Sequence, residues 1–108
     1  MAKHARIDVL TVAPENQEKL FSLVQHIATH LENVDECLYF IVSKDKDNPS
    51  TVWVTELWTS EEDHDNSLKD IPDDLRTILD EVMSLVIDAD TRQRAKLIPT
   101  VSKGIANP

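Results

Sequence analysis

The sequence predicts an α+β domain whose elements run strand, helix, strand, strand, helix, strand. Three observations carry this reading: apolar positions with a period of two near the N-terminus, two long apolar stripes at helical spacing, and two apolar segments separated by a polar turn.

In the first segment Ala5, Ile7, Val9 and Thr11 alternate with His4, Arg6, Asp8 and Leu10. This is the pattern of a half-buried strand with one polar-leaning face. Pro14 suits a first helical position, and Glu15 and Glu18 complement the positive end of the helix dipole. Leu20, Leu23, Val24, Ile27 and Leu31 then recur at helical spacing, so an amphipathic helix is expected over about 14–32. Cys37 to Ser43 is almost continuously apolar, which calls for a strand covered on both faces. Lys44 to Ser50 holds turn residues, and Thr51 to Trp58 resumes with Val52, Trp53, Val54, Leu57 and Trp58. The two strands should form an antiparallel hairpin.

Ser60-Glu61-Glu62-Asp63 fits the serine-x-x-acid signature of a helix start, and this helix carries His64 and Leu68. Pro72 restarts or kinks it, and Leu75, Ile78, Leu79, Val82, Met83 and Val86 make the second stripe. The run Arg92 to Ile98 reads as a last strand with a basic, solvent-tolerant face. The order is the split βαββαβ pattern of the ferredoxin-like fold. Two helices cover only one face of a four-stranded sheet, yet the second and third strands carry large apolar groups on both. A homodimer packed sheet on sheet, with Trp53 in its core, is therefore expected.

Composition bounds the rest. At 108 residues, with 41% apolar and 29% charged side chains, the chain reads as one globular domain over 1–108. Twenty acids against 11 Lys plus Arg give a net charge of −9, which disfavours nucleic acid and anionic membranes as partners. The single cysteine, Cys37, cannot form an intrachain disulfide, and it reads as a small buried strand residue. The apolar runs are too short for a signal peptide or for the ~20 residues of a membrane span, so a cytoplasmic protein is expected. Gly104, the only glycine, excludes glycine-rich phosphate and dinucleotide loops. His26 and His30 are four apart, but no Glu follows His26 and no third ligand is evident, so no metal centre is expected.

The stretch from Thr55 to Leu68 is the most informative. Glu56 and Trp58 are two residues apart on one strand face, ~7 Å along the strand, and His64 follows at the next helix start. A buried Glu56 needs a partner such as Arg6, Arg92 or Arg94. Plainer roles exist for each residue: Glu56 in a structural ion pair, Tyr39 and Trp58 as core or interface aromatics, and His64 as a solvated side chain.

Taken together, Val34-Asp35-Glu36-Cys37-Leu38-Tyr39-Phe40, Asp47-Asn48-Pro49, Glu56-Leu57-Trp58-Thr59-Ser60-Glu61-Glu62 and His64-Asp65-Asn66-Ser67-Leu68 resemble the antibiotic biosynthesis monooxygenase domain family. That family includes quinol monooxygenases and is related to haem-degrading monooxygenases. The resemblance covers nearly the whole chain and implies a dimeric α/β barrel. It also implies a cofactor-free oxygenase, in which a deprotonated, electron-rich small aromatic or quinol-like substrate itself reduces O₂. On that scheme His64 is the base, Trp58 and Tyr39 are the wall and hydrogen bonder, Glu56 or Arg6 orients, and Arg6 and Ser67 contact substrate. The chain departs from the family pattern at Ser67, where a histidine is common, at Glu36, where glycine is common, and on the first strand, which lacks an asparagine. Two other readings remain open: a haem-handling relative with His64 as axial ligand, and a non-catalytic dimer that binds a small apolar ligand. A small-molecule enzyme requires an unfilled apolar cavity between helices and sheet, touched by Trp58 and His64.

Overall fold

The computed structural model describes residues 2–88 and 95–99. Strand β1 (His4–Val12) is followed by a short 3₁₀ turn at Pro14–Asn16 and by helix α1 (Gln17–Leu31). Strands β2 (Cys37–Lys44) and β3 (Thr51–Trp58) form the antiparallel hairpin. Helices α2 (Glu61–Ser67) and α3 (Asp73–Leu85) come next, then the short strands β4 (Val86–Asp88) and β5 (Ala95–Leu97). The sheet order is β2-β3-β1-β4, with β5 beside the other end of β1, and every pairing is antiparallel. This is the ferredoxin-like arrangement, with the helices packed on one side of the sheet.

Two expectations change. Val86 leaves the α3 stripe: its backbone is extended and it pairs with Val12, because strand pairing along the open end of β1 outcompetes one more turn of helix. The last strand is Ala95–Leu97, opposite Ala5–Ile7, and Arg92 and Arg94 lie outside the described residues.

The core forms where α1 and α3 meet the sheet. Val12, Leu20, Val24, Val52, Val54 and Val82 are all buried there. On β1 the polar-leaning face turns inward: His4 and Arg6 are buried with Val12, whereas Ala5, Ile7 and Val9 look to the other side. Among the described residues, no helix covers that other side. Tyr39, Ile41 and Trp53 stand on it 45%, 49% and 37% exposed, so the described residues leave one face of β2 without the expected cover.

Candidate active site

The β1–β3 register sets His4 opposite Trp58 and Arg6 opposite Glu56. Residues two apart on a strand share a face, so these four side chains form one patch beneath the helices. Trp58 and Glu56 are 2% and 8% exposed. The Trp58 indole Nε1–H donates to Glu56 Oε1 at 2.9 Å. Arg6 Nε lies 3.9 Å from Glu56 Oε2, an ion pair without a hydrogen bond. The expected ion pair of Glu56 is thus present, with Arg6. Burial pushes the Glu56 carboxyl above its ordinary range. The Trp58 N–H, His64 and Arg6 pull the other way, and Asp8 adds to the rise.

Only Thr59 and Ser60 separate β3 from α2. Ser60 caps that helix as the sequence predicts, its Oγ accepting the Asp63 N–H at 3.0 Å. This tight entry brings His64 back over the strand it has just left. Its ring meets Trp58 edge-on, with centroids 5.3 Å apart and planes at 85°. The His4 ring lies 5.9 Å away. His64 is therefore buried rather than solvated, because two strand side chains cover it. Its Nδ1 is 2.9 Å from Asp65 Oδ1, and the Ser67 hydroxyl donates to the His64 carbonyl at 2.6 Å. Burial lowers the pKa of His4, a shift that Glu61 opposes. His4 Nε2 and Arg6 Nε are buried without a hydrogen-bond partner among the described residues.

A cavity of about 470 Å³ opens over the patch. Its apolar walls include Val24 and Ile27 of α1, Val54 of β3, and Leu75, Leu79 and Val82 of α3. Arg6, Glu56, Trp58, His64 and Ser67 bring polar groups to its lining, together with Asp8, His30, Asn66 and Asp70. The volume falls in the range of small-molecule sites, and the cavity lies where the sequence required one, between helices and sheet and touched by Trp58 and His64.

Five of the six residues singled out from the sequence thus meet at one cavity. Tyr39 does not: a register shift between Cys37 and Tyr39 pairs Tyr39 with Leu57 on the outer face and gives Phe40 the position opposite Glu56. Phe40 lines the cavity in its place. An all-apolar strand carries no in-out signal, and one extra residue flips every side chain after it. The other residues that sequence reasoning missed are His4 and Asp65. His4 was within reach, since it shares the period-two face of Arg6. Cys37 is half-buried, its thiol pushed up to about 11 by burial and the Glu56 charge, so it stays protonated at neutral pH. Among the described residues, no group of three or more His, Cys, Asp or Glu side chains could hold a metal ion, and no helix is long and apolar enough to cross a membrane.

The family model for the antibiotic biosynthesis monooxygenases matches residues 4–70, well over half of the chain. The chain belongs to this family. A search of curated proteins finds no significant match. Among solved structures, a protein from Chloroflexus aurantiacus named for the antibiotic biosynthesis monooxygenases superposes with a TM-score of 0.81 at 22% identity, over 97% of this chain and 100% of its own. One so named from Deinococcus radiodurans gives 0.73 at 22% identity, over 97% and 99%. At such identities the likeness establishes the fold. In this antibiotic biosynthesis monooxygenase family member the matched span holds Arg6, Glu56, Trp58, His64 and Ser67 of the cavity lining, while the α3 wall lies beyond it.

Proposed function

We propose that this protein is a cofactor-independent monooxygenase that oxidises a small, apolar, quinol-like aromatic molecule with O₂, working as a cytoplasmic homodimer. The observation that carries the reading is the cavity: walled largely by apolar side chains, with Arg6, Glu56 and His64 among its polar groups, and large enough for a ring system. His64 accepts the phenolic proton. Arg6 Nε–H, a buried donor with no hydrogen-bond partner among the described residues, meets a ligand oxygen. Glu56, tied to Trp58, fixes the orientation of these polar groups. Deprotonation makes the ring electron-rich enough to reduce O₂. One oxygen atom enters the substrate and the other leaves as water, so that SH₂ + O₂ gives SO + H₂O with all electrons drawn from the substrate. The homodimer is supported by the apolar outer face with Tyr39, Ile41 and Trp53.

Oxygen uptake with a panel of hydroquinones and anthrones tests the proposal. At least one member should be oxidised above the protein-free rate, and His64→Ala should lower that rate by about 10²-fold or more. Silence across the panel, with an apolar dye still bound in the cavity, points instead to a binding protein. A Soret shift on adding haemin, lost in His64→Ala, favours the haem-handling alternative.

A further inference from the structure

We infer that Asp65 is a positioning residue that holds the neutral His64 ring in its Nδ1–H form and leaves Nε2 as the proton-accepting atom. Its catalytic meaning rests on the proposed role of His64 as base, whereas the tautomer itself is a property of the folded chain.

The geometry is specific. Asp65 Oδ1 lies 2.9 Å from His64 Nδ1, inside hydrogen-bond range. Consecutive residues on a helix do not face each other, so this contact exists because the His64 ring turns along the helix toward its neighbour. An ionised carboxylate has no proton to give, so the shared hydrogen belongs to Nδ1 and the lone pair of the neutral ring sits on Nε2. Asp65 is well placed to stay ionised: its side chain is 60% exposed while that of His64 is 8% exposed. The carboxylate therefore keeps its hydration while it orients a buried ring. The hydrogen bond from His64 also holds the Asp65 carboxyl below its ordinary range. The ring is confined further by the Trp58 edge contact and by His4. Among the described residues no hydrogen bond reaches Nε2, and His64 lines the cavity. The arrangement is that of an orienting carboxylate on the far nitrogen of a general base.

Long-range ¹H–¹⁵N correlation spectra of the ¹⁵N-labelled protein at alkaline pH, with His64→Gln used to assign the ring, read the tautomer directly. The Nδ1–H pattern is expected for His64 in the wild type, shifted toward Nε2–H in Asp65→Ala. An Nε2–H pattern in the wild type, or one unchanged in Asp65→Ala, overturns the inference. With any quinol that the protein oxidises, Asp65→Ala should lower kcat about tenfold or more and leave KM within about twofold. If no quinol is oxidised the enzymatic proposal fails, and the spectra still decide the role of Asp65.

Discussion

Glu56 and Trp58, two residues apart on β3, are joined side chain to side chain: the indole N–H reaches one carboxylate oxygen at 2.9 Å in a nearly solvent-free setting. A carboxylate so placed is costly without partners, and Arg6 at 3.9 Å is too distant to complete its hydrogen bonding. The indole is therefore the group that makes Glu56 tolerable at this position. The pair in turn fixes the floor on which His64 rests.

Trp58→Phe keeps the aromatic bulk and removes only the donor. It leaves Glu56 Oε1 unpaired in a buried site, at a cost of about 1–3 kcal/mol. Denaturant unfolding should show a lower midpoint with an unchanged slope. In a Glu56→Leu background the same substitution should cost at least ~1 kcal/mol less, since no acceptor is left stranded. Equal costs in the two backgrounds would mean that the bond contributes nothing.

Burial raises the Glu56 pKa in the folded state above its ordinary 4.5. Between those two values the folded chain binds more protons than the unfolded one. The contribution of this group to stability is thus complete below the unfolded pKa and is lost as pH rises through the folded pKa. Glu56→Gln does not titrate. Midpoints measured from about pH 4 to about pH 7 should move in favour of Gln as pH rises, relative to the wild type. Movement toward the wild type over that range contradicts a raised pKa.

What was legible in the sequence is what local chemistry decides. Ser60 caps α2 because its hydroxyl meets Asp63 three residues on, and the stripes of α1 and α3 follow from helical spacing. Alternation on β3 put Glu56 beside Trp58 without any knowledge of the fold. Long-range pairing decided the rest. Nothing local separates Tyr39 from Phe40, and Val86 continues the α3 stripe until Val12 offers it a strand partner. His64 stands in a run of acids that looks solvated. Only the return of α2 over β3 reveals that Trp58 and His4 cover it.

The outer sheet face carries Tyr39, Ile41 and Trp53 in partial exposure, an apolar surface that a second copy would bury. In a two-fold interface each substitution occurs twice, so Ile41→Glu places two uncompensated charges at the contact. Light scattering at micromolar concentration should give twice the 12.3 kDa chain mass for the wild type and a single chain mass for Ile41→Glu. A wild-type protein that scatters as a lone chain removes the basis for the dimer.

The cavity makes a final prediction in which stability and binding move apart. Leu79 of α3 stands on the wall of a void of about 470 Å³, so part of its surface lacks the packing partners that a filled core supplies. Leu79→Trp directs bulk into that space and adds contacts. Its stability should stay within about 1 kcal/mol of the wild type, whereas overpacking a filled core costs about 1–3 kcal/mol. An apolar aromatic ligand at 100 times its Kd should stabilise the wild type by about 2.7 kcal/mol and leave Leu79→Trp almost unmoved. Thermal unfolding of both proteins, with and without ligand, separates the cases. A variant that is strongly destabilised shows that the wall is already packed, whereas one that folds normally and still responds to the ligand places the binding elsewhere.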